Sequence, residues 1–309
     1  MDIMKPSTVI GTNSCDSKAY GKLLRGSSVD DKTISETVRT AIDKDIFIFD
    51  TAQDYGFGKG QKMIGRLCPE NIIISAKYTP VKAYKQGQVR ESAERDLRDF
   101  DRDHIDIYWL HLPNSIEQNL TEMAALYKEG RIRNIGVSNF TLRECRFAKL
   151  ILARYGIPLY GVQNHYSLLA RDWEKNGLVK WCNDNGISFW AWAVLEEGIL
   201  VPPKKDEKQG LMKLIYNRKR RKLKPLYKTM NNISKKYGVT APQIAMAYCS
   251  SKGIVPICGC RKPYQAEQLS EAVKIRLTDK EIWRLETAAD SVNVKVLGAD
   301  MFRFAVIKS

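Results

Sequence analysis

The chain has no cysteine pair in CxxC spacing and no apolar run approaching the roughly 18 residues of a membrane span. Its seven cysteines, Cys15, Cys68, Cys145, Cys182, Cys249, Cys258 and Cys260, are odd in number and scattered. That pattern excludes a disulfide framework and fits reduced thiols. Cys258 and Cys260 would share a strand face, but no histidine or further cysteine lies near them to complete a tetrahedral set, so no metal is expected. The opening residues, MDIMKPSTVIG, hold no apolar stretch of secretory length, and a cytoplasmic protein without a membrane segment is expected. A glycine-rich phosphate turn is also lacking. Gly11-Thr12-Asn13-Ser14 matches GxGxxG poorly, which counts against an open doubly wound sheet.

What is present is the composition of a folded globular chain, 44% apolar and 28% charged. At 309 residues it is long for one ordinary core but normal for a closed α/β barrel, so a single domain over residues 1–309 is expected. The net charge is +15, and six of the seven residues from Arg218 to Lys224 are basic. That run reads either as a solvated cationic loop or as electrostatic help to a phosphorylated cofactor or an anionic partner. Nucleic acid is not expected there, because the only nearby aromatics, Tyr216 and Tyr227, lie outside the run and no reader motif accompanies it. The oligomeric state is not legible.

Along the chain, short apolar runs alternate with stretches of helical periodicity. The spacing predicts strands over Ser7–Thr12, Ile46–Asp50, Asn71–Ala76, Ile105–Leu110, Ile132–Val137, Leu159–Gln163, Ile187–Leu195 and Ile254–Ile257. A basic insert follows the seventh strand, and a tail to Ser309 packs outside the repeat. Eight strands alternating with helices imply parallel βαβ units, and at this length a closed (β/α)8 TIM barrel.

Chemistry on such barrels sits where the strands end. Four polar groups reach that rim: Asp50 and Tyr55 after the second strand, Lys77 after the third and His111 after the fourth. Each alone has an ordinary structural explanation: a helix cap, a packed aromatic, a strand exit to water, a hydrogen-bonded core histidine. Side-chain parity ties three of them together, since Ile48 and Asp50, Ser75 and Lys77, and Trp109 and His111 each share a face, so that Asp50, Lys77 and His111 can point inward together. A buried carboxylate needs a cation, and Lys77 is the natural partner of Asp50.

Those residues give a resemblance. DTAQDYG, the lysine closing the third strand, WLHLP, GVSNF and VQNHYSLL resemble, in order and on the corresponding strands, the motifs of the aldo-keto reductases. The resemblance runs from about Val9 to Ala289. It implies reduction of an aldehyde or ketone to an alcohol with NADPH, through Asp50, Tyr55, Lys77 and His111, with Tyr55 as proton donor. By the same matching Ser138, Asn139 and Gln163 would hold the nicotinamide carboxamide and Trp192 would stack on its ring. Ala193, Leu195 and Gly198 after the seventh strand, and Gly259, Arg261, Lys262, Gln265 and Gln268 after the eighth, would contact the rest of the dinucleotide. The cations favour the 2′-phosphate, hence NADPH (NADP+) over NADH. Phe57, Trp109 and Leu112, with Tyr78 and the tail around Met301 to Phe304, would frame an apolar pocket for a small-molecule carbonyl substrate.

The chain departs from the family pattern in three places. Gln61 stands where an acid is usual, Ala193 and Val194 replace a serine and a proline, and Gln268 and Leu269 replace a glutamate and an asparagine. Arg220 or Arg221 would then compensate by reaching over the pyrophosphate. The alternative reading is a cofactor-binding sensor or regulatory interaction subunit built on the same barrel.

Overall fold

A computed structural model describes residues 6–13, 29–53, 55, 59–80, 83–203, 219–292, 294 and 296. Eight parallel strands close into a barrel in sequence order, β1 (Val9–Gly11), β2 (Ile48–Asp50), β3 (Ile73–Tyr78), β4 (Ile107–Leu110), β5 (Ile135–Ser138), β6 (Leu159–His165), β7 (Ser188–Trp192) and β8 (Val255–Gly259). The outer layer is built from α1 (Asp31–Asp43), α2 (Lys59–Leu67), α3 (Gln88–Phe100), α4 (Ile116–Lys128), α5 (Leu142–Ala153), α6 (Asp172–Lys175) and α7 (Leu178–Asp184). It continues with α8 (Lys224–Tyr237), α9 (Ala241–Ser251), α10 (Pro263–Ala272) and α11 (Asp279–Ser291). Among the described residues no helix is long and apolar enough to cross a membrane.

The helix boundaries follow local chemistry. Asp30 caps α1 by accepting from the Thr33 amide at 2.8 Å, and Ile34, Thr37, Val38 and Ala41 bury one face at helical spacing. Reciprocal capping boxes start α5 (Thr141 with Glu144) and α11 (Thr278 with Glu281). Most strands are shorter than the apolar runs that carry them. The third run behaves differently: Lys77 lies inside β3, which extends to Tyr78.

Two apolar cores result. The larger lies between strands and helices, and the smaller fills the barrel interior with Val9, Ile48, Ile107, Trp109, Trp190, Val255 and Ile257. Trp109 dominates the interior. Its ring crosses the space where two side chains are missing: a Cβ on Gly136 would lie 2.3 Å from it and a Cβ on Gly161 3.0 Å. Trp190 packs on it with ring centroids 4.9 Å apart, and Tyr160 edges both indoles. Two expectations about the substrate pocket therefore change. Trp109 has no exposed surface and sits in the barrel interior instead of framing a mouth. Tyr78 has the opposite parity and turns outward into the helical layer, its hydroxyl 3.3 Å from Gln88. Leu112 is buried directly after His111. Phe57, Met301 to Phe304 and Arg218 lie outside the described residues.

Candidate active site

Register brings the four rim groups together. Asp50 pairs with Ser75, and Lys77 with Trp109, across β2, β3 and β4, so the inward residues of three strands stand side by side. The Lys77 ammonium is fully buried, 2.5 Å from Asp50 Oδ2, 2.8 Å from the Thr51 carbonyl and 3.4 Å from the Tyr55 hydroxyl. Asp50 Oδ1 accepts from Ser75 Oγ at 2.7 Å and Gln163 Nε2 at 3.0 Å. Ser75 Oγ in turn accepts from the Trp109 indole N–H at 2.7 Å. Burial alone pulls the lysine below its ordinary value, but the Asp50 carboxylate, with Tyr55, outweighs that and leaves it above 10.5. The lysine is therefore a permanent cation at neutral pH.

Tyr55 is half-buried. Lys77 Nζ lies 4.9 Å from its ring centroid, and the His111 ring meets it edge-on at 6.5 Å. Thr79 Oγ1 lies 2.7 Å from His111 Nδ1 and fixes the imidazole from behind. Thr79 and the Thr51 carbonyl are site groups that sequence reasoning passed over, and Ser75 was placed on the inward face but given no role. Its role was findable, since it shares the inward face of Lys77 two residues earlier.

The segment between Asp50 and Tyr55 is tied to the outer layer. Gln53 Nε2 contacts Ser92 and donates to both oxygens of Asp96 at 3.1 and 3.2 Å, and Gln61 Nε2 donates to the same carboxylate at 2.7 Å. Tyr108 completes the set from β4 at 3.1 Å. Gln61, which stands where the family pattern has an acid, thus serves Asp96. Asp96 has no exposed surface, and burial pushes its carboxyl up to about 6 despite these donors.

A carboxyl raised in the fold favours folding while protonated; that advantage is complete below its ordinary value of 3.8 and is lost as pH rises through about 6. The rise costs about 3 kcal/mol above both values. Asp96→Asn, which does not ionise, should therefore gain about 2–3 kcal/mol on the unsubstituted protein between pH 4 and pH 7.5, read from urea unfolding. A stability difference that stays flat with pH would refute the assignment.

The residues assigned to a dinucleotide divide into two groups. Ser138, Asn139 and Gln163 are buried and bonded within the protein. Ser138 Oγ donates to the Gln163 carbonyl at 2.7 Å, and Asn139 Nδ2 donates to the His111 carbonyl at 3.1 Å. Asn139 also adopts a positive φ of 63°. Gln163, expected beside a carboxamide, donates instead to Asp50.

The second group is more open. Trp192 ends β7, and Ala193, Leu195 and Gly198 follow it, all four with intermediate exposure, while Gly259 and Lys262 are exposed and Arg261, Gln265 and Gln268 partly so. Gln265 Oε1 accepts from the Arg261 and Lys262 amides at 2.7 and 3.1 Å, closing the first turn of α10 with two cations beside its positive end. That donor set suits a phosphate. Arg220 is buried rather than extended over a ligand, and its Nη2 donates to the Gly198 carbonyl at 2.6 Å; Arg221 is exposed.

Comparison with known proteins shows the family. The family model described as "Aldo/keto reductase family" matches residues 9–290. The chain is 28% identical to the aldo-keto reductase YhdN of Bacillus subtilis over 267 residues, covering 78% of this chain and 79% of that one. It is 27% identical to the chloroplastic pyridoxal reductase of Arabidopsis thaliana over 284 residues, covering 85% and 78%. Among solved structures, the thermostable aldo-keto reductase Tm1743, crystallised with the inhibitor epalrestat, superposes with a TM-score of 0.73 at 26% identity, covering 92% of this chain and 95% of that one. A Klebsiella pneumoniae aldo-keto reductase in complex with NADPH shares the fold, with a TM-score of 0.70 at 21% identity and coverage of 91% and 90%. With the match spanning all eight strands and the helices between them, the chain belongs to the aldo/keto reductase family.

Proposed function

We propose that the protein is an NADPH-dependent reductase of a small aldehyde or ketone, with Tyr55 as the proton donor. The observation that carries this reading is the position of the buried Lys77 ammonium, shared between Asp50 and the Tyr55 hydroxyl. NADPH, when bound, supplies a hydride to the carbonyl carbon. The residues of the chain then have to manage charge and protons. Negative charge developing on the carbonyl oxygen calls for a positioned acid, and a free tyrosine, titrating near 10, is too weak for the task near neutrality. Lys77 favours the tyrosinate and so strengthens the acid, while Asp50 compensates the burial of the lysine. His111, held through Nδ1 by Thr79, would meet the same oxygen through Nε2, acting as an oxyanion donor.

The cations Arg261 and Lys262 support the phosphorylated cofactor over NADH. The missing hydroxyl at Ala193 and missing proline ring at Val194 point to weaker pyrophosphate contacts, and Val194 is buried in the outer core. The test is a binding titration with NADPH and NADH, followed by NADPH oxidation against short aldehydes, sugars, quinones and ketosteroids. Tight NADPH binding with turnover of at least one class is expected. Tight binding with no turnover across the panel would favour the sensor or interaction-subunit reading; no binding of either nucleotide would overturn both.

A further inference from the structure

Asp96 lies on α3, in the helical layer, yet its partners converge on the segment that carries Tyr55. The Tyr55 amide donates to the Ala52 carbonyl at 3.1 Å, which closes a turn with Gln53 in its first central position. From that turn Gln53 Nε2 touches Ser92 and donates to both oxygens of Asp96 at 3.1 and 3.2 Å. Beyond Tyr55, Gln61 Nε2 donates to Asp96 Oδ1 at 2.7 Å. One carboxylate therefore holds side chains two residues before and six residues after the tyrosine.

That hold reaches the chemistry through packing. Gly60, beside Gln61 in the first turn of α2, comes so close to the site that a Cβ on it would lie 3.2 Å from Thr51 Oγ1 and 3.7 Å from Tyr55 Cβ. The Thr51 carbonyl accepts from the Lys77 ammonium at 2.8 Å, and the Tyr55 hydroxyl stands 3.4 Å from the same ammonium. A shift of α2 or of the Ala52–Tyr55 turn would move the phenol relative to its cation. The receiving group suits this task. Asp96 is buried, and once ionised it only accepts, so it takes Gln53, Gln61 and the Tyr108 hydroxyl together. An amide in its place offers one accepting oxygen and turns an NH2 toward those donors.

We propose that Asp96 is a positioning residue for Tyr55: through Gln53 and Gln61 it fixes both flanks of the tyrosine, so that the phenol is held beside the Lys77 ammonium before substrate arrives. This rests on the reading that Tyr55 donates the proton. A misplacement of about 1 Å can cost on the order of 10²-fold in rate, so a residue in the helical layer governs turnover without touching substrate or cofactor.

The test uses Gln53→Leu, which keeps the bulk of a half-buried side chain and removes its amide, together with Asp96→Asn and the two combined. Urea unfolding checks that each is folded. NADPH affinity is read by titration, and kcat and kcat/KM with a carbonyl compound that the unsubstituted protein reduces. Expected in each single variant is a fall of about tenfold in kcat and kcat/KM alike, the mark of an interaction made in the transition state, with NADPH affinity within about twofold. The double variant should fall no further than Asp96→Asn alone, because the two residues act in series. On the Tyr55→Phe background, Gln53→Leu should change the residual rate by less than about twofold. A folded Gln53→Leu with full turnover, a double variant whose losses multiply, or a tenfold effect that persists on the Tyr55→Phe background would overturn the proposal while leaving the reductase reading intact. If Tyr55→Phe itself keeps its turnover, the reading beneath the proposal fails instead.

Discussion

Tyr55→Phe should lower turnover by about a thousand-fold while leaving NADPH affinity within about twofold. The substitution removes one oxygen and little else. The phenyl ring keeps its place beside His111 and the Lys77 ammonium, contacts made at 6.5 Å and 4.9 Å to ring centroids. What is lost is the hydroxyl 3.4 Å from Lys77 Nζ, the only phenol close to that buried cation among the described hydrogen bonds. A general acid contributes roughly 10²–10⁴ to rate, so a loss in that range with binding preserved separates proton donation from cofactor capture. Retention of more than a tenth of the turnover would assign the proton to another group.

The second large effect concerns the pair beneath that hydroxyl. Lys77→Met leaves Asp50 as a buried carboxylate served, among the described residues, by Ser75 and Gln163, and breaking a buried pair from one side typically costs about 3–5 kcal/mol. Turnover should fall at least as far as in Tyr55→Phe, because the cation that strengthens the phenol is gone. The double variant Asp50→Asn with Lys77→Met removes both charges and should regain most of the stability but none of the activity. Equilibrium unfolding and initial rates read the two effects separately. A double variant as unstable as the single one would mean that the destabilisation is lost packing rather than an uncompensated charge.

The linkage sign follows from the lysine. Its folded value lies above 10.5, so the stability it confers is complete below the ordinary lysine range and is lost only as pH rises through the folded value. The lysine's own contribution to stability should therefore be constant across neutral pH.

The tetrad was legible because it sits at ends of short apolar runs with matching parity, and parity survives errors of a residue or two in strand length. Depth was not legible. Trp109 shares the face of His111, as the alternation requires, yet it lies one layer lower and fills space vacated by Gly136 and Gly161 on strands far away in sequence. The charged helix Gln88–Phe100 likewise gave no sign that Asp96 turns inward to serve Gln53 and Gln61, since every residue type around it suits a solvated face. Gln163 was matched to a carboxamide by resemblance alone; its bond to Asp50 depends on strands 113 residues apart closing the same barrel.

The indole of Trp109, laid across two glycines and hydrogen-bonded up to Ser75, gives the site a floor. In the proposed mechanism Tyr55 gives up its proton in each cycle, and the packed indole lies on the side away from the strand ends. On that reading, the proton that restores the phenol has to arrive from the strand-end side, where the carbonyl substrate is also proposed to bind.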